Sequence, residues 1–241
     1  FLTTGVVVSL VAFKWLDVAT YPTRPSNATA VRLLRFGLPS MALVVLTAGL
    51  YKIDLFLVSY FMTSVDTGLY RAALQVSEFI WAASFAMEMV MIQSTSQLWA
   101  KGHVERISSF LSEMVEYVVI LTVLLIVGVF VLGDQFLTLY FGPEYEESIR
   151  PLRLLLPGIL GFAVARVVWP VLQAGGHLRR VLLATGTAVV TNIVLNLLLI
   201  PRFGLTGAAI ATSISYGGMA LLHGGAAHLA SLHPFEGLSS V

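Results

Sequence analysis

Several ionisable side chains stand inside stretches that are otherwise long and apolar. Lys52 and Asp54 interrupt one such stretch, Arg71, Glu78 and Glu88 the next, and Arg166 a later one. A charge within a lipid-solvated helix costs at least a few kcal/mol, so each needs a partner, a water-filled cavity or a route to the headgroups. The chemistry open to these groups is the binding and release of ions or charged ligands rather than the making of bonds. No Ser-His-Asp order and no HExxH helix accompanies them. A GxxxxGK[ST] phosphate loop is also missing, which excludes nucleotide hydrolysis by that route. There is no cysteine and hence no thiolate chemistry. The five histidines (His103, His177, His223, His228, His233) show no helix-spaced pair and read as interfacial residues rather than metal ligands.

Helical geometry sorts the candidates. At about 100° per residue, Arg71, Gln75, Glu78, Ala82 and Phe85 share one face, a polar stripe running from the outer surface towards mid-membrane. Arg71 and Glu78 are two turns apart, too far for an i,i+4 pair. Glu88 lies about a quarter-turn off that stripe and reads as pairing with a helix neighbour rather than serving a proton path. Lys52 and Asp54 point to nearly opposite sides. Arg166 aligns with Gln173, beside Trp169 and Pro170, and Thr185 aligns with Asn192 and Asn196. Blander roles stand beside these. Lys52 and Arg71 can snorkel to headgroups, Asn192 and Asn196 can bond between helices, and Asp54 can cap a charge network near the outer interface. Glu113 and Glu116 sit in early turns and favour a positive helix end.

The elements that carry these residues follow from composition. The chain is 57% hydrophobic and 11% charged, with a mean hydropathy of +0.87; soluble domains carry about 25% charged residues. A spanning helix needs about 20 mostly apolar residues, and segments 34–61, 66–98, 107–133, 150–173, 178–200 and 204–230 qualify. The runs are too continuous for an alternating β-barrel. The expectation is an all-α polytopic membrane protein. Residues 1–13 read as the end of a further, truncated transmembrane helix, 14–33 as a cytoplasmic linker, 34–230 as a six-helix lobe and 231–241 as a cytoplasmic tail. Alternate loops hold Lys14, Arg24, Arg32 and Arg35, then Lys101 and Arg106, then Arg179 and Arg180. The opposite loops hold only Arg150, Arg153 and Arg202. The positive-inside rule puts the first set in the cytoplasm and Glu144–Glu147 outside. The sequon Asn27-Ala28-Thr29 then falls on the wrong side for glycosylation.

Some segments resemble a known family. Lys52-Ile53-Asp54-Leu55-Phe56-Leu57-Val58, followed by Val65-Asp66-Thr67-Gly68-Leu69-Tyr70-Arg71-Ala72-Ala73, is similar to the end of helix seven and the "VGxYxxA" start of helix eight in the polysaccharide transport proteins. Thr67 stands where Val is usual. These are Wzx-like oligosaccharide flippases of the multidrug/oligosaccharidyl-lipid/polysaccharide exporter superfamily. The run from Asn192 to Pro201, with Gly204, Gly207-Ala208-Ala209 and Ala211-Thr212, resembles the segment joining their helices eleven and twelve. Leu172-Gln173-Ala174-Gly175-Gly176-His177 and Phe141-Gly142-Pro143-Glu144-Tyr145 resemble the turns after helices ten and nine. Order and spacing carry the likeness from about Arg32 to Ala230.

The resemblance implies the C-terminal lobe of a MATE-like two-lobe fold that works by alternating access. Its partner would be the N-terminal lobe, and its site the cytoplasmic membrane. It implies a carrier, not an enzyme, for a polyprenyl-phosphate-linked oligosaccharide, with membrane lipid around it, no cofactor and no nucleic acid. Arg71 and Arg166 are then expected to meet the anionic linker, because the guanidinium fork suits phosphate. Gln75, Gln173, Asn192 and Asn196 are expected as glycan donors, and Glu78 or Asp54 as the group that couples movement to H+ or Na+. The alternatives are a cation-coupled drug antiporter of the same superfamily, disfavoured by two arginines in the spans, a membrane glycosyltransferase, disfavoured by short outer loops, and a non-transporting fragment.

Overall fold

A computed structural model describes residues 27–232. The expected helix end at 1–13, linker residues 14–26 and the tail from 233 lie outside the described residues. The order is α1 (Asn27–Phe61), α2 (Ser64–Ala100), α3 (Val104–Tyr140), a 3-10 turn (Pro143–Ser148), α4 (Ile149–Ala174) and α5 (Leu178–His228). No strand occurs among the described residues, and the chain is an all-α polytopic membrane protein. The chain divides into two compact units, residues 1–40 and 41–241. In the first, the described residues belong to the opening half of α1, which starts ahead of the apolar run at 34. Everything below concerns the second.

Segments 33–61, 105–140, 143–174 and 178–228 are each long and apolar enough to cross a membrane. Helix α2 has the length, at 37 residues, but carries Asp66, Arg71, Glu78 and Glu88. Its start is built by sequence. Only Met62 and Thr63 separate it from α1, and Thr63 forms a capping box with Asp66: Thr63 Oγ1 accepts from Asp66 N at 3.2 Å, and Thr63 N donates to Asp66 Oδ2 at 3.1 Å.

Helix α5 keeps helical backbone angles except at Gly204, whose φ of 58° and ψ of −136° suit a residue without Cβ. Asn192 and Thr212 nevertheless touch at 3.5 Å; in a straight helix their Cα atoms would be about 30 Å apart. Arg180 Nη1 reaches Ala226 O at 3.3 Å, across what would be about 70 Å of straight helix. The element is a hairpin of two antiparallel rods, 178–203 (α5a) and 205–228 (α5b), folded at Pro201-Arg202-Phe203-Gly204.

Helix α4 is the central rod, with Leu152, Leu155, Ile159, Phe162, Val167 and Leu172 all buried. Its first half joins a cluster with Leu57, Tyr70, Ala73, Ile80 and Ala208. Its second half joins one with Met91, Leu111, Val118 and Val181. Small residues let it approach α5b: a Cβ added at Gly161 would lie 2.9 Å from Gly217 Cα and 3.1 Å from Tyr216 O. Without a hydrophobic drive between helices in lipid, such close backbone packing is what holds them together. By contrast α3 shows Leu124, Phe130, Val131, Leu132 and Leu139 on its surface, as a lipid-facing helix should.

Candidate functional site

The buried stripe of α1 is Leu50, Asp54, Leu57 and Val58, spaced at i, i+4, i+7 and i+8. Asp54 therefore occupies a position where an apolar side chain is the rule, while Lys52 is exposed. On α5a the same periodicity buries Thr185, Ala188, Asn192, Asn196 and Ile200; on α5b it buries Ala208, Thr212, Tyr216 and Met219. The polar members of the three stripes meet. Asp54 Oδ1 accepts from Asn196 Nδ2 at 2.8 Å, and Asp54 Oδ2 accepts from Thr212 Oγ1 at 2.5 Å. Asn196 Nδ2 also lies 3.0 Å from Asn192 O and 3.1 Å from Asn192 Oδ1. Thr212 Oγ1 lies 3.0 Å from Ala208 O, and Asn192 Nδ2 and the Tyr70 hydroxyl approach it at 3.5 Å.

The Asn196 amide and the Thr212 hydroxyl supply the hydrogen bonds to the two Asp54 oxygens, and each also lies against the carbonyl one turn back in its own helix. Asn196 Oδ1 is buried with no hydrogen-bond partner. Among the described residues no Lys, Arg or His forms an ion pair with Asp54. The arrangement is a buried carboxylate held by a neutral amide and a hydroxyl, in a cluster whose carboxylate, amide and hydroxyl oxygens are of the type a hard, oxygen-seeking cation takes. No group of three His, Asp or Glu side chains that could hold a metal ion occurs among the described residues.

A second polar group lies in the same core. Arg166 on α4 donates through Nε to Glu88 Oε2 at 2.6 Å, and its Nη2 contacts the same oxygen. Its Nη1 donates to the Tyr51 hydroxyl on α1 at 3.0 Å. The guanidinium carbon sits 5.2 Å from the Trp81 ring centre, 4.9 Å from Phe85 and 5.4 Å from Phe162, within cation–π range. Glu88 thus has a partner, supplied by α4 rather than by its own helix.

The α2 stripe is different. Arg71, Gln75, Glu78, Ala82 and Phe85 are all exposed, while Ala72, Ala73, Val76 and Ile80 on the other side are buried. Neither Arg71 nor Glu78 forms an ion pair among the described residues. Gln173 is half-buried in the last turn of α4, two turns from Arg166 and outside its contacts. The structure therefore brings together Asp54, Asn192 and Asn196, buries Arg166 against Glu88, and leaves Arg71, Gln75 and Glu78 on a surface.

Thr212, Tyr70 and Tyr51 were not singled out as site residues in the sequence. Each is uncharged and of a type that is common in membrane helices. The available signal was periodicity: Thr212 falls one turn from Ala208 and from Tyr216 on the buried stripe of α5b.

Residues 1–239 match the protein family described as lipid II flippase MurJ. Among curated proteins the chain is similar to the probable low-salt glycan biosynthesis flippase Agl15 of Haloferax volcanii, 28% identical over 225 residues, which is 92% of this chain and 47% of that protein. It is similar also to the probable flippase AglR of the same organism, 25% identical over 223 residues, 89% of this chain and 45% of that one. An uncharacterized membrane protein of Methanocaldococcus jannaschii is 25% identical over 135 residues, 55% of this chain and 26% of that protein. The chain spans about half the length of the two flippases, or a little less.

Proposed function

The chain belongs to the lipid II flippase MurJ family, and from that premise we propose that it works in a cation-coupled carrier that moves a lipid-linked glycan across the cytoplasmic membrane. The names of its relatives point to a transporter rather than an enzyme. The finer substrate reading is a glycan on a polyprenyl phosphate or pyrophosphate: an apolar tail that stays in lipid, an anionic linker and a hydrated sugar that cannot cross hydrocarbon unaided. Six helical rods, α1 to α4 and the two halves of α5, form one lobe of a two-lobe carrier that alternates access between the faces of the membrane.

Within that lobe the exposed α2 stripe faces the substrate path. Arg71 meets the anionic linker through its planar fork, and Gln75 offers a donor one turn on. Arg166, held by Glu88, braces the lobe. Asp54 is the coupling group, with Asn192, Asn196 and Thr212 as co-ligands instead of glycan donors. The observation that carries this reading is the buried Asp54 carboxylate, which has no ion pair among the described residues and has the unpartnered Asn196 Oδ1 in the same cluster. One proton would satisfy one oxygen, whereas Na+ draws on several, so Na+ is the coupling ion.

Complementation tests it. The protein expressed from its gene is placed in cells depleted of their own lipid-linked glycan flippase, and surface glycan is measured at several sodium concentrations. Asp54→Asn and Arg71→Ala are each expected to lower surface glycan at least tenfold at unchanged membrane abundance. Full activity in Asp54→Asn, or activity indifferent to sodium, would remove the coupling assignment. Full activity in Arg71→Ala would remove the stripe as the substrate path.

A further inference from the structure

One turn of α1 serves both buried polar groups. Tyr51 and Asp54 are three residues apart, so they lie on one face, separated by about 4.5 Å of rise. Asp54 is bound to α5 through Asn196 and Thr212. Tyr51 is bound to α4 through Arg166, at 3.0 Å. A second connection runs through rings. Tyr51 stacks on Trp81 at 5.7 Å and meets Phe162 edge-on at 5.6 Å. Phe162 stacks on Tyr216 at 4.6 Å, and Tyr216 follows Thr212 by one helical turn.

We propose that Tyr51 is a positioning residue, whose hydroxyl on Arg166 couples cation binding at Asp54 to the Arg166–Glu88 pair. The inference rests on the reading of Asp54 as a cation ligand. A cation there draws α1 and both halves of α5 together and fixes the turn that carries Tyr51. The Tyr51–Arg166 hydrogen bond fixes the same turn against α4. Whichever forms first removes freedom that the other would otherwise have to remove, so the two favour each other. The coupling is reciprocal: sodium also steadies the α2 segment that carries Trp81 and Glu88.

Tyr51→Phe isolates the hydroxyl, because the ring and its stacking remain. The purified full-length protein in nanodiscs is titrated with radioactive sodium alongside Asp54→Asn and Tyr51→Phe. Asp54→Asn is expected to abolish binding. Tyr51→Phe is expected to weaken it about 5- to 10-fold, a typical coupling between sites, although Tyr51 makes no hydrogen bond to the Asp54 cluster. High sodium should then restore its transport to the unsubstituted rate, while its melting temperature without sodium matches that of the unsubstituted protein, which a folding defect would not allow. The unsubstituted protein supplies an independent arm. Hydrogen exchange, compared in sodium and in potassium, should slow in sodium both around residue 54 and around residues 81–88. Unchanged sodium affinity in Tyr51→Phe, or protection confined to the Asp54 cluster, would overturn the coupling and leave the cation site standing. Failure of the unsubstituted protein to bind sodium would overturn both.

Discussion

Arg166 and Glu88 hold each other at a depth where either alone would be an uncompensated charge. Removing one partner of a buried pair costs about 3–5 kcal/mol, whereas replacing both by apolar groups of similar volume is often neutral. We therefore expect Arg166→Met to lower thermal stability in detergent sharply, and Arg166→Met combined with Glu88→Met to recover most of the loss. Melting curves of the three proteins check this; a double variant no better than the single one would assign the effect to packing against the rings. How such residues were legible differs from case to case. Asp54 stood out because a carboxylate interrupts an apolar run, and Glu88 because it fell off the stripe. That Glu88 pairs with Arg166, 78 residues away, was not readable, since the choice of partner is set by how α2 and α4 lie side by side. Thr212 carries no charge and so gave no comparable signal.

At the scale of the helices, close approach decides. Gly161 faces Gly217 and the Tyr216 carbonyl with no room for a side chain, whereas Gly128 on α3 has open space around its Cβ direction. Overpacking of this kind costs about 1–3 kcal/mol. Gly161→Val should lower the melting temperature and broaden the size-exclusion peak, and Gly128→Val should change neither; equal behaviour of the two would mean that α4 and α5b do not need their contact. The all-helical architecture was legible because uninterrupted apolar runs near 20 residues admit little else in lipid. The fold-back in α5 was legible too: Pro201-Arg202-Phe203-Gly204 supplies a helix breaker and a residue for the left-handed turn. What periodicity withheld was lateral order. Nothing in a single amphipathic pattern says that α4 is the rod in the middle, and it is less apolar than the lipid-facing α3.

At the scale of the whole molecule, charge sets orientation. Exposed Glu146 lies in the 3-10 turn on one side, and exposed Arg179 opens α5 on the side rich in Lys and Arg. These 241 residues hold no cysteine, so a single introduced cysteine reports on its own position once any cysteine elsewhere in the protein is replaced. In intact cells a membrane-impermeant maleimide should label Glu146→Cys and spare Arg179→Cys until the membrane is opened; the reverse pattern would invert the topology and the sense of the proposed transport.

The hairpin of α5 also bears on how the protein is made. Its two rods are joined by a four-residue turn with a single non-helical residue, Gly204, and one charge, Arg202. Such a connection is too short to let the first rod settle in the bilayer while the second waits in the aqueous phase. Asn192 and Asn196 on one rod, with Thr212 on the other, would each meet lipid unpaired if the rods entered singly. Entering together, they meet each other first, so these two crossings are expected to enter the bilayer as one folded unit, with half of the Asp54 cluster formed before α1 docks against it.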